Sequence, residues 1–120
     1  MVRFPKTYIM NIDEQVKAMA IKADVASLDD VTALINQTKE VFGKIDILVN
    51  NAGITKDNLM MKMTEDDFDS VIDTNLKGAF LFIKGVSRLM LKQRSGRIIN
   101  ISSVVGVRGN AGQVNYSASK

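Results

Sequence analysis

The stretch Ile45-Asp46-Ile47-Leu48-Val49-Asn50-Asn51-Ala52-Gly53 decides the fold. Ile45–Val49 is a short apolar run, suited to a buried strand of a parallel sheet. It runs straight into Asn50, Asn51, Ala52 and Gly53, a turn signal.

The segments on either side alternate in type. Upstream, Ser27 followed by Asp30 has the form of a capping box, in which two side chains satisfy orphan backbone donors. Leu28, Val31, Leu34, Ile35, Val41 and Phe42 then recur at helical spacing, and Gly43 ends the helix. Before it, Val16–Ala23 reads as a short strand ending in Asp24. Residues 1–15 show no clear period and stay unassigned.

Downstream, Thr64 with Asp67 forms a second capping box. A long amphipathic helix follows, with Phe68, Val71, Ile72, Ala79, Phe80, Ile83, Val86 and Met90 on one face and Ser95-Gly96 closing it. Arg97–Ile101 reads as a third strand. A loop containing Gly106, Gly109 and Gly112 leads into a helix beginning near Gln113.

Strands alternating with helices predict an α/β fold: part of a doubly wound parallel sheet of Rossmann type, its central segment only, over residues 16–120. Such sheets bind ligands at the carboxyl ends of their strands. Asp24, the pair Asn50 and Asn51, and the pair Ser102 and Ser103 each follow a strand, so one sheet edge is expected to be polar.

Composition narrows the chemistry. The chain has 120 residues, room for one small domain. It has no cysteine, which excludes disulfides and thiolate chemistry, and no histidine, which removes the usual general base and the commonest metal ligand. No metal site is expected. Sixteen Lys/Arg are interleaved with thirteen Asp/Glu for a net charge of +3, the pattern of a solvated mixed surface. No basic stripe or reader motif points to nucleic acid. No apolar run approaches membrane-spanning length. Met1 to Met10 carries Arg3 and Lys6 with no apolar core after them, unlike a secretory signal. A cytoplasmic protein is the expectation.

Acid–base work falls to Tyr, Lys, Asp, Glu or Ser. Tyr116 and Lys120 are four residues apart, on one face of a helix. A free phenol, with a pKa of about 10, is a poor acid–base group at neutral pH. A neighbouring ammonium favours the phenolate, so such a pair can protonate a carbonyl oxygen or take a proton from an alcohol. The pairing alone also arises by chance. Ser103 is a candidate hydrogen-bond donor to a carbonyl, and lacks the histidine and G-x-S-x-G elbow of a hydrolase nucleophile.

Asn75 falls on the apolar face of the long helix, where an amide needs partners. Two readings stand level: it satisfies backbone groups at a helix irregularity, or it holds a water or the lysine. The glycines at 106, 109 and 112 are spaced G-x-x-G-x-x-G and read as a mobile turn over the site, not a pyrophosphate cradle. Met60, Met61 and Met63 read as packing, with an apolar wall for an acyl chain as the minor alternative.

Together these residues resemble the short-chain dehydrogenase/reductase family. Asn50-Asn51-Ala52-Gly53 matches its NNAG motif, Asn75 the asparagine of its long helix, Ser103 its serine after the fifth strand, and Tyr116-Ser117-Ala118-Ser119-Lys120 its Y-x-x-x-K. The joint order and spacing run from about Val16 to Lys120. Within the family, Ile45–Leu59, Gly96–Gly106 and Gly109–Tyr116 look like the β-ketoacyl-[acyl-carrier-protein] reductases of bacterial fatty acid synthesis.

The resemblance implies reduction of a 3-oxoacyl thioester on acyl carrier protein by NADPH, in an enzyme commonly homotetrameric. Tyr116 would protonate the oxygen and Ser103 hydrogen-bond it. Lys120 would assist the tyrosine and hold the nicotinamide ribose, and Asn75 would anchor a water leading to Lys120. Asp24 and Val25 would touch the adenine, with Asn51, Ala52 and Gly53 along the adjoining cofactor edge. Lys92, Arg94 and Arg97 offer a basic cluster to an acidic carrier protein, or a plain solvated surface. Two alternatives are another ketone, such as an acyl-CoA thioester, and an inactive remnant. The family's TGxxxGxG turn has no match in the chain. The expectation is therefore a partial sequence, inactive alone and marginally folded, with an open strand edge.

Overall fold

A computed structural model describes residues 7–13 and 16–120. Their order is β1 (Thr7–Asp13), β2 (Val16–Ile21), α1 (Leu28–Phe42), β3 (Ile47–Asn50) and α2 (Glu65–Ile72). A π-helical turn (Asp73–Lys77) follows, then α3 (Gly78–Gln93), β4 (Arg97–Asn100), α4 (Val104–Arg108) and α5 (Val114–Ser119). The class is mixed α/β with a parallel strand pair, as expected of a Rossmann-like domain.

The parallel pair is β3 and β4, in register from Ile47 opposite Arg97 to Asn50 opposite Asn100. Parallel neighbours need a long crossover, supplied here by α2, the π turn and α3. α1 and α3 pack on one face. Val31, Ile35, Leu81 and Val86 form the core, with Ile45, Leu48, Phe82 and Met90 against it. Gly85 of α3 faces the tip of Ile35 on α1, whose Cδ1 would have to shift to admit a side chain there. Gln93 ties the end of α3 to the start of β3: its Nε2 donates to Ile45 O at 2.8 Å and its Oε1 accepts from Ile45 N at 3.2 Å.

Several expectations need correction. The first strand does not join the parallel pair. β2 pairs antiparallel with β1, from Thr7 opposite Ile21 to Asp13 opposite Val16, with a register irregularity between Asn11 and Asp13. The unassigned residues 7–13 are therefore a strand. Thr, Tyr and Ile suit a strand, and pairing adjacent segments closes the shortest loop at the least entropic cost. Asp24 thus follows a strand of a different sheet from Asn50 and Ser102.

The long helix is not uniform, since the π turn interrupts it around Asn75. Phe80, placed on the buried face by sequence, is exposed, and Leu81 is buried instead. The π turn between Val71 and Phe80 changes the residue count per turn, so a face extrapolated at regular helical spacing does not carry through to Phe80. The helix ends at Gln93, with Arg94 in the left-handed region (φ 52°). The glycine-rich loop contains a helix, α4, and Gly106 within it packs against Lys120: a Cβ there would come within 2.6 Å of the Lys120 carbonyl carbon. The loop reading fails because Ser103 caps a turn the glycine spacing did not reveal. β3 is only partly covered: Ile47 and Val49 are exposed, and Leu48 faces the helices.

Candidate active site

The site is built from two turns and a short helix. The first, residues 51–58, leaves the end of β3. Its shape is held by Asn75, whose Oδ1 accepts from Ile54 N at 2.8 Å and whose Nδ2 donates to Ile54 O at 3.0 Å. A π turn holds an extra residue in its circuit and frees a side chain from regular packing; here it aims Asn75 at that loop. Asn75 Nδ2 also donates to Ser119 Oγ at 2.9 Å. Both amide hydrogens are then in use, so a water at Asn75 would have to donate to Oδ1.

The second turn follows β4. Ser103 caps α4, its Oγ accepting from Val105 N at 3.2 Å while its own proton stays available to donate. Ser102 Oγ donates to Lys120 O at 2.7 Å. The third element is α5. Ser117 Oγ donates to Val105 O at 2.8 Å, and Ser119 Oγ to Tyr116 O at 2.8 Å. Lys120 Nζ donates to Ile101 O at 3.0 Å and stands 6.0 Å from the centre of the Tyr116 ring.

These elements line an open cleft of about 490 Å³, bordered by Asn51, Gly53, Ile54, Thr55, Ile101, Ser102, Tyr116 and Lys120. That size suits a small-molecule site. Gly53 lies at its floor, where a Cβ would meet Asn75 Oδ1 at 3.3 Å and Lys120 Nζ at 3.5 Å. A smaller apolar hollow adjoins it at Asn51, walled by Val25, Ala52, Gly78 and Phe82. The two meet at Asn51, which lines both.

The structure thus gathers Asn51, Gly53, Tyr116 and Lys120 in one cleft, with Ala52 and Val25 beside it and Asn75 beneath. Ser103 stands next to the cleft, which Ser102 walls. Asp24 turns its carboxylate onto Ala26 N at 2.9 Å. The methionines of 60–63 and the cluster Lys92, Arg94 and Arg97 lie outside the cleft; Arg97 opens β4, at the far end from Ile101. Among the described residues no group of His, Cys, Asp or Glu is placed to hold a metal. No helix there is long and apolar enough to cross a membrane.

Sequence reasoning missed Asn115 and Ser119. Both are buried, at 0% and 8% exposure, and both hold Tyr116 by its backbone. The available signal was position: polar residues one before and three after the tyrosine on a helix that must bury one side.

Comparison with known proteins gives the ancestry of this arrangement. The family model described as short chain dehydrogenase matches residues 5–120. The chain belongs to the short-chain dehydrogenase family. It is 58% identical over 104 residues to a 3-oxoacyl-[acyl-carrier-protein] reductase of Synechocystis sp., covering 87% of the chain and 42% of that protein. It is 57% identical over 105 residues to 3-oxoacyl-[acyl-carrier-protein] reductase FabG of Staphylococcus aureus, covering 88% and 43%. The Salmonella typhimurium FabG is 53% identical over 97 residues, covering 81% and 38%. The chain thus spans about two fifths of the length of these relatives.

Proposed function

We propose that this chain carries the catalytic centre of an NADPH-dependent reductase that converts a 3-oxoacyl thioester on acyl carrier protein to its 3-hydroxyacyl form, in fatty acid biosynthesis. The observation that carries the reading is the meeting of Tyr116 and Lys120 in one cleft over Gly53. The substrate and its carrier are inferred from the relatives, which are 3-oxoacyl-[acyl-carrier-protein] reductases by name.

The residues present suit a nicotinamide dinucleotide. The hollow beside Val25 and Ala52 offers apolar walls to a planar ring, and the polar cleft offers an ammonium to ribose hydroxyls. When bound, the cofactor supplies a hydride to the keto carbon. Tyr116 gives its hydroxyl proton to the keto oxygen as negative charge develops there. Ser103 donates a hydrogen bond to the same oxygen. Lys120, pinned by the Ile101 carbonyl, brings an ammonium to the same cleft, 6.0 Å from the centre of the Tyr116 ring. Asn75 keeps the Ile54 turn and the Ser119 hydroxyl in place below.

The test is to supply the full-length protein with NADPH and a 3-oxoacyl carrier-protein substrate, following loss of reduced-nicotinamide absorbance. Turnover with the carrier-linked substrate above that with the CoA-linked one supports the reading. A preference for another ketone, or for NADH, would replace it.

A further inference from the structure

Asn115 is fully buried, and its one amide ties α5 to two segments remote in sequence. Nδ2 donates to Lys56 O at 2.9 Å, in the turn after β3, and to Asp67 O at 3.1 Å, on α2. Oδ1 accepts from Tyr116 N at 2.8 Å, on α5. Every strong capacity of the amide except one lone pair is used. α5 has only six residues, far below the length at which a helix orders itself. Its direction must therefore come from tertiary contacts.

Rotation of α5 about its axis swings the phenol of Tyr116. Two carbonyls from separate elements fix the Asn115 amide, and the adjacent residue is Tyr116. We infer that Asn115 is a positioning residue for Tyr116: its amide sets the rotation of α5, and so where the phenol hydroxyl meets the keto oxygen. The clamp reaches further through neighbouring contacts. Asn58 N donates to Gly112 O at 2.9 Å, and Gln113 Nε2 donates to the Asp57 carboxylate at 3.2 Å. The turn that forms the cleft floor thus also orients the helix that forms its wall. No residue of similar size replaces the amide: a carboxylate would face two carbonyl oxygens, and leucine would leave both bare.

This inference rests on the reading of Tyr116 as proton donor. The experiment compares Asn115→Ala in the wild-type and Tyr116→Phe backgrounds of the full-length protein. A reacting group displaced by a fraction of an ångström to an ångström costs about tenfold to a hundredfold. That loss is expected in kcat, with the KM for cofactor within about twofold. In the Tyr116→Phe background the same substitution should do little to residual turnover, since no hydroxyl remains to be aimed. An equal fold-loss in both backgrounds would reduce Asn115 to a structural residue and overturn the inference, as would unchanged kcat. If the Ala variant does not fold, Asn115→Ser, which keeps a hydroxyl, is read by the same cycle. If the wild type reduces no ketone, the functional reading fails by itself. Hydrogen exchange at the Tyr116 amide then decides: faster exchange in the variant supports the clamp, and unchanged exchange overturns it.

Discussion

Asn75 and Ile54 are joined by two hydrogen bonds, at 2.8 and 3.0 Å, across 21 residues of sequence. The side chain imitates a strand partner and completes the backbone of the turn after β3. Replacing it by alanine leaves the Ile54 N–H and C=O without it, and frees the Ser119 hydroxyl. Each orphaned group costs roughly 1–3 kcal/mol when buried, and Ile54 is partly exposed, so the lower end applies. Asn75→Ala should cost about 1–2 kcal/mol of stability, read as a lower urea midpoint, and loosen residues 53–58. Unchanged amide exchange at Ile54 would contradict this.

Gly53 should not accept a side chain. A Cβ would already press on Asn75 Oδ1, and valine would add branches toward Lys120 Nζ. Gly53→Val should raise the KM for cofactor and cost about 1–3 kcal/mol of stability through overpacking. Wild-type affinity in a cofactor titration would show that the floor has room.

The start of α2 carries a pH signature. Thr64 N donates to the Asp67 carboxylate at 3.1 Å, and Asp67 N donates to Thr64 Oγ at 3.1 Å. The bond from the Thr64 backbone first, and then the Thr64 hydroxyl beside it, hold the Asp67 carboxyl below the usual carboxylate range. A carboxyl depressed on folding contributes stability above its unfolded value of about 3.9 and loses it as pH falls through the folded value. Asp67→Asn should remove this part of the acid sensitivity. Thr64→Ala should cost about 1 kcal/mol and shift the thermal midpoint downward. Identical acid-unfolding curves for wild type and Asp67→Asn would contradict the assignment.

Arg94 tests the carrier protein. It follows α3 in the left-handed conformation, between Lys92 and Arg97. If an acidic carrier docks there, Arg94→Glu raises KM for carrier-linked substrate, spares a CoA-linked analogue, and weakens in effect as salt rises. Equal effects on both substrates would leave the three charges as solvated surface.

Much of the fold was legible because it rests on local rules. Gly43 ends α1 in the left-handed conformation, and Thr64 with Asp67 completes a reciprocal box. Ser27 completes only half of one: its Oγ accepts from Asp30 N, while the Asp30 carboxylate reaches Asp24 N instead. The β1–β2 pairing was hidden because period does not report which strand finds which. Asn75 could be read two ways since a π turn leaves no mark in residue spacing. Asn115 escaped notice because an asparagine near a turn looks ordinary until two distant segments converge on it.

The central claim is that the Tyr116 hydroxyl delivers the proton to the reduced ketone. The measurement is steady-state turnover of a 3-oxoacyl carrier-protein substrate by full-length Tyr116→Phe, with NADPH affinity measured alongside. Proton donation of this kind is worth about 10²–10⁴ in rate. A loss of that size in kcat with cofactor binding within about twofold is the predicted result. Turnover like the wild type, with the ring but not the hydroxyl present, would contradict it.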